Sequence, residues 1–206
     1  MKVNIIEESG YSGALLGMAL SYYDHITPLE EWWTEEKIAK ADKRAKLLAH
    51  KDGGHNKLLE HITVQLYIQA TRGFWQEFDT YRVGISKQSA STMHTLKNRI
   101  VGYDDFEVGT SKCMVSAFNK CLLSYKSPKS PYYNDITRLK ENLPEGWLQE
   151  RVITTNYKVL RHIYSQRHDH RYKHWRTFCE YLLNNLQHPH FIKETYELFT
   201  TKSTAL

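Results

Sequence analysis

The sequence predicts an α+β fold, and three observations carry that expectation. Ile62, Val64, Leu66 and Ile68 alternate with Thr63, Gln65 and Tyr67, the period of a strand with one buried face. Longer stretches, Pro28 to His50 and Thr110 to Tyr125 among them, read as helices, the second with Met114, Ala117, Phe118, Cys121 and Leu122 on an apolar face. The chain has 206 residues, is 41% apolar and mixes both charge signs, which is enough for a real core and too apolar for disorder.

Taken in order, Lys2 to Ile6 is a short apolar run and a first strand, and Glu7 to Gly10 is a turn. Ser12 to Tyr23 forms a helix whose small residues Gly13, Ala14, Gly17 and Ala19 mark close packing. Pro28 fits the first turn of the next helix, which runs to His50 with Trp32 and Trp33 near its start. Lys51 to Gly54 ends it, because glycine accepts the left-handed cap geometry. Leu58 to Glu60 lead into the alternating strand, and a helix follows from Thr71 to Tyr81. The Ser-rich segment Arg82 to His94 is a loop or an irregular return strand. Small hydroxyls beside an arginine suit a phosphate-binding loop, and equally an ordinary polar surface. Thr95 to Gly109 carries Asp104, Asp105 and Glu107 without a clear period. After the helix ending at Tyr125, Pro128 and Pro131 punctuate the chain. Asn134 to Leu143 is a short helix stopped by Pro144, and Glu145-Gly146 turns into Trp147 to Thr154.

Arg151 to Phe178 is the stretch richest in chemistry, and it reads as one long helix capped by Thr154 or Thr155. Asn156 sits near its start, with His162 and Arg167 about two and three turns further on. Val159, His162, Ile163 and Gln166 form one stripe, and Leu160, Tyr164, Arg167 and Arg171 a neighbouring one. An Asn, a His and an Arg along one helix can line a groove for a flat anionic ligand; a solvated basic face is the alternative. Phe178 to Leu186 continues or restarts the helix, His188 to His190 break it, and Phe191 to Phe199 forms a terminal helix.

The formal charge of +5 is spread along the chain, which favours a phosphate-bearing small molecule or a nucleic acid over an acidic protein surface. No apolar run approaches the ~20 residues a membrane span needs, and the N-terminus lacks a signal-peptide pattern. Cys113, Cys121 and Cys179 read as reduced, mostly buried thiols of a cytoplasmic protein. His170 and His174 have the i, i+4 spacing of two metal ligands, but Arg161, Arg167, Arg171, Lys173 and Arg176 on the same stretch would repel a cation, so no metal is expected. Neither a Gly-x-Ser-x-Gly elbow nor a Gly-rich phosphate loop is present. The basic stretch interleaved with Tyr164, Tyr172 and Trp175 keeps nucleic-acid binding open as a non-enzyme reading.

Four blocks resemble the flavin-dependent thymidylate synthase family. Ala14 to Tyr23 is similar to the family's first helix after a short strand. Leu59-Glu60-His61 before an alternating strand resembles its Phe-Glu-His element. Trp75-Gln76 through Arg82, then Ser86 to His94, stand where the family has Arg-Gln-x-x-Arg-His-Arg followed by a Ser-rich block. Asn156, His162 and Arg167 match its Asn, His/Asn and Arg spacing, and Trp175 stands near its Gln-Trp element. The departures are specific. Arg-His-Arg becomes Thr80-Tyr81-Arg82, with one extra residue before Ser86. The Ser-rich block's acidic residue, second arginine and closing tyrosine become Ser89, Met93 and His94, and the arginine before the Leu-Pro pair becomes Lys140.

The resemblance implies an antiparallel sheet packed with long helices, one domain over residues 1–206, and a homotetramer with sites between subunits. It implies transfer of a one-carbon unit from methylenetetrahydrofolate to a deoxypyrimidine monophosphate, dUMP to dTMP, with FAD as cofactor and NADPH as electron source. By the same resemblance His61, Arg82, Asn156 and His162 grip the flavin, while Gln76, Ser89, Ser91, Lys140 and Arg167 hold the nucleotide. Arg167 is the expected catalytic group, since an always-charged guanidinium can stabilise developing negative charge. Because the family's lost donors bear on the substrate, a related modification such as hydroxymethylation, or a non-catalytic or nucleic-acid-binding protein on the same scaffold, stays as an alternative. Arg72 and Arg151 are candidates to replace the lost arginines in space.

Overall fold

In a computed structural model, residues 1–51, 54–97 and 99–193 are described. Their elements run β1 (Lys2–Ser9), α1 (Tyr11–Ala19), α2 (Leu29–Trp32), α3 (Glu35–Leu48), α4 (Leu58–His61), β2 (Thr63–Thr71), α5 (Arg72–Phe78), β3 (Ser86–Ser89), α6 (Thr92–Thr95), α7 (Lys112–Lys126), α8 (Ile136–Glu141), β4 (Leu148–Asn156), α9 (Tyr157–Arg167) and α10 (Lys173–Asn185). The four strands form one antiparallel sheet in the order β1-β2-β4-β3, so the expected α+β class holds. The chain divides into two compact units. One comprises Met1–Asn4, Tyr67–Arg82 and Lys87–Ile153; the other comprises Ile5–Leu66, Val83–Ser86 and the chain from Thr154 on.

In the first of these units, α7 lays Val115, Phe118 and Leu122 onto Leu96, Val101, Phe106, Leu139 and Leu143. That face is rotated from the expected one, since Met114 and Ala117 are exposed. The rotation follows from a better apolar stripe, because Val115, Phe118 and Leu122 recur at i, i+3 and i+7. Phe74, Trp75 and Phe78 of α5 are also buried, and Trp75 Nε1 donates to the Gln149 carbonyl at 2.9 Å. Burying an indole without such an acceptor would leave its N–H unsatisfied.

In the other unit, α1 packs on α3 through small residues, Ala14 against a helix whose Ala41 and Ala45 are buried. The expected single helix from Pro28 to His50 is two, because Thr34 caps α3 by accepting the Lys37 N–H at 3.4 Å. At Gly10, φ is +92° and an added Cβ would fall 2.2 Å from the His61 carbonyl oxygen, so only glycine fits where α1 begins. The single helix expected over Arg151 to Phe178 is corrected in three ways. Its first residues belong to β4, where Ile153 and Thr155 are buried at alternate positions. Thr155 donates its hydroxyl to the Gly84 carbonyl at 3.0 Å, so Asn156 caps α9 instead. The helix then stops after Arg167 and restarts at Lys173, so Arg171 leaves the expected stripe and His170 and His174 do not share a helix face. On α9 itself, Ile163 sides with buried Tyr157 and Leu160, while His162 and Gln166 are exposed.

All three cysteines are free thiols, but Cys113 is exposed and Cys121 half-buried; only Cys179 is buried, and burial pushes its thiol up to about 12. Of the terminal helix expected from Phe191 to Phe199, Phe191 closes a short 3-10 turn from Pro189 and Ile192 and Lys193 follow as turn and bend, not helix; the rest lies outside the described residues. So do Asp52 and Gly53 of the expected helix stop at Lys51 to Gly54. Among the described residues no helix is long and apolar enough to cross a membrane.

Candidate functional site

The cap of α9 is built from both sides. The Asn156 carboxamide oxygen accepts the Val159 N–H at 3.1 Å, which fixes its side chain over the first turn. Gly84 lies against the same turn with φ +72°, and a Cβ there would sit 2.7 Å from Val159 Cγ2 and 3.6 Å from Asn156 Nδ2. The absence of a side chain at Gly84 therefore leaves a shallow cradle of backbone beside the Asn156 amide. His61 is brought to the same end of α9. The Tyr157 N–H donates to the Ile62 carbonyl at 3.1 Å, and the Lys158 ammonium donates to the Glu60 carboxylate. Lys158 beside it holds Glu60 below the usual carboxylate range. His61 itself is exposed at the end of α4.

Further along α9, His162 is exposed, and Arg167 closes the helix about 16 Å from Asn156 at the α-helical rise of about 1.5 Å per residue. Asn156 and Arg167, eleven residues apart, fall on nearly the same side of the helix, whereas His162 points elsewhere. The Arg167 guanidinium lies 4.8 Å from the centre of the buried Trp175 ring and 2.9 Å from His170 Nε2. Such stacking orients a planar cation while leaving its charge undiminished. Asn156 and Arg167 thus mark the two ends of a track along one helix, with His162 turned off it, and a ligand meeting both ends must be extended.

The remaining sequence candidates belong to the other unit. Gln76 is exposed on α5 and donates to both Glu145 carboxylate oxygens at 3.2 Å. Ser89 is exposed on β3, and Ser91 precedes α6, its carbonyl accepting the Thr95 hydroxyl at 2.8 Å. Arg82 and Lys140 are both exposed. Beside the Ser-rich strand stands a cluster that the sequence did not assemble. Arg151 of β4 and Lys87 of β3 both reach Asp79 Oδ1, at 2.7 and 2.9 Å, and the Arg151 guanidinium lies 4.3 Å from the Trp75 ring centre. Partial burial pushes the Asp79 carboxyl up, but the two cationic donors outweigh it and hold the group below the usual range. Arg72 is committed differently, donating to the Leu143 carbonyl at 2.5 Å and standing 3.7 Å from Glu145.

A family model described as thymidylate synthase complementing protein matches residues 14–189. The chain belongs to that family. Among solved structures it is similar to a flavin-dependent thymidylate synthase ThyX from Helicobacter pylori complexed with FAD and dUMP, with TM-score 0.73 and 14% identity over 94% of this chain and 98% of that one. A second ThyX structure from the same organism, also with FAD and dUMP, gives TM-score 0.72 and 15% identity over the same shares. At these identities the likeness is one of fold. No curated protein matches the chain. All nine candidate site residues fall inside the stretch matched to the thymidylate synthase complementing proteins. Lys87 and Asp79 were not recognisable in the sequence, because neither stands on a motif position and their meeting with Arg151 depends on the pairing of β3 with β4.

Proposed function

We propose that this protein is a flavin-dependent thymidylate synthase. It would methylate dUMP to dTMP with a one-carbon unit from methylenetetrahydrofolate and electrons from NADPH, as a cytoplasmic homotetramer. The observation that carries the reading is α9, with Asn156 on its cap and Arg167 in its last turn, inside a family match that covers residues 14–189. That match spans residues of both compact units, which supports one functional domain over residues 1–206.

The donor set suits FAD. An amide at Asn156, imidazoles at His61 and His162, a guanidinium at Arg82 and the bare backbone at Gly84 offer hydrogen bonds and charge to an extended dinucleotide. When bound, the flavin supplies hydride and carbon-transfer chemistry that side chains lack. The chain's own task is then to bind, orient and neutralise. Arg167, held by the Trp175 ring, carries a fixed positive charge toward the nucleotide and stabilises negative charge on the uracil imide. Gln76, Ser89, Ser91 and Lys140 orient base and phosphate. In this reading Arg151 and Lys87 supply the cations that the family's missing arginines would have given, and Asp79 holds both in place until phosphate arrives.

The test is direct. Purified protein is titrated with FAD and followed by flavin absorbance, then incubated with dUMP, methylenetetrahydrofolate and NADPH, and the nucleotide product is identified by mass. Bound flavin and a product heavier by the net CH2 that replacing a ring hydrogen with methyl adds are expected. Protein that stays colourless with FAD and leaves dUMP unchanged would overturn the reading, and a hydroxymethyl product would redirect it.

A further inference from the structure

A cleft of about 510 Å³ opens between α1 and α3, and none of the candidate site residues above lines it. Its size lies in the range of small-molecule sites. Lys37, Lys40 and Arg44 line it from α3 and recur at i, i+3 and i+7, so they share one face of that helix. They are the charged residues of the lining. Between them Ala41, buried, provides a floor without bulk. Two rings complete the lining: Tyr22, 67% exposed, and Trp32, 6% exposed and packed against Tyr23 and Trp33.

The cations are oriented by rings. The Lys37 ammonium lies 4.1 Å from the Trp32 ring centre, and the Arg44 guanidinium 4.4 Å from that of Tyr22. A ring positions a cation without cancelling its charge, so an incoming anion finds two charges already placed. Lys40 is paired with Glu36 at 2.7 Å on the solvent side and contributes less. The nearby Asp24 carboxylate accepts the Ile26 and Thr27 N–H groups at 3.0 and 3.1 Å, which holds it on its own loop. A bare inorganic anion would leave the exposed Tyr22 ring and the apolar wall of Met18 and Ala19 unused. A neutral apolar molecule would have no use for the cations, and a metal ion would be repelled by them.

We propose that the cleft between α1 and α3 binds a small aromatic anion, a flat ring carrying a phosphate or a carboxylate, separately from the flavin and nucleotide. The inference does not depend on the proposed function, because its residues are distinct from those given roles there.

Phenyl phosphate and benzoate are the probes, titrated with tryptophan fluorescence as the readout, on protein alone and on protein saturated with FAD and dUMP. Saturable quenching by at least one probe is expected under both conditions. Trp32→Phe removes most of that signal, and Arg44→Glu weakens binding about tenfold or more, the change that ~1.4 kcal/mol produces. Tyr22→Ala, at an exposed position, weakens it without altering charge, and circular dichroism confirms that each variant folds. Phosphate and carboxylate are separated by which probe binds. Absence of quenching to millimolar probe, quenching unchanged in Arg44→Glu, or equal affinity for inorganic phosphate would each overturn the proposal.

Discussion

Replacing Gly84 by alanine probes the seat of α9 in a way that separates two costs. A non-glycine residue at φ +72° pays about 1–2 kcal/mol for the left-handed conformation. The new Cβ also meets Val159 Cγ2 at 2.7 Å. Valine in a helix has essentially one side-chain rotamer, so it cannot swing away, and the first turn of α9 must shift at a cost of about 1–3 kcal/mol. The sum, about 2–5 kcal/mol, corresponds to a fall in melting temperature of roughly 5–15 °C for a chain of this size. The two parts are told apart by Val159→Ala. It removes Cγ2, so the double variant recovers the contact part but not the backbone part, giving a coupling of about 1–3 kcal/mol. Thermal melts of the four proteins in the cycle supply the numbers. FAD affinity should fall in Gly84→Ala and return in the double variant, since the shift displaces Asn156. A single variant that melts within a degree of wild type, or a coupling near zero, refutes the described approach of Gly84 to α9.

Four further outcomes are expected. Gly10→Ala, which would drive a Cβ into the His61 carbonyl, should destabilise the fold by about 3 kcal/mol or prevent soluble expression, with the loss read by urea denaturation. Arg167→Ala should lower kcat/KM for dUMP about a hundredfold or more, and Arg167→Lys should recover little, because an ammonium replaces neither the fork nor the stacking on Trp175; steady-state kinetics decide it. Arg151→Gln should weaken dUMP binding about tenfold and leave FAD binding unchanged, as measured by calorimetry; unchanged dUMP affinity would remove Arg151 from the site. For pH, burial and then the Lys46 charge bring His190 down to about 4 from 6.5, so the unfolded chain binds the proton first as pH falls. Its contribution to stability is therefore full above about 6.5 and is lost between there and about 4, and His190→Gln should flatten melting temperature against pH across that window.

How much could be read in advance differs from element to element. β2 was legible because alternation has one interpretation when Val64, Leu66, Ile68 and Ala70 all face inward. β4 was not, because its buried positions Ile153 and Thr155 are few and run straight into a helical pattern, so one period hid the change to another. The cap followed the same logic: two threonines stood before Asn156, and only the pairing of Thr155 with Gly84 removes one of them. Among the candidate residues, the placement of Asn156, His162 and Arg167 along one helix was legible through spacing, since a helix presents side chains at fixed intervals. Arg151 was a candidate to replace a lost arginine, but its meeting with Lys87 was not legible, since their shared partner Asp79 lies 8 positions from Lys87 and 72 from Arg151 and the contact depends on strand pairing. The rotation of α7 was missed because Met114 and Ala117 are apolar by type yet exposed, and periodicity cannot rank two overlapping stripes.

The contact of Gly10 with the His61 carbonyl also bears on the order in which the chain assembles. The start of α1 has no side-chain cap of its own, and its seat is moulded by backbone from fifty-one positions later. The first helix can nucleate on emerging from the ribosome, but it cannot settle until the lead-in to β2 has arrived. In refolding, where the whole chain is present, the seat of α1 forms together with the lead-in to β2 and not ahead of it.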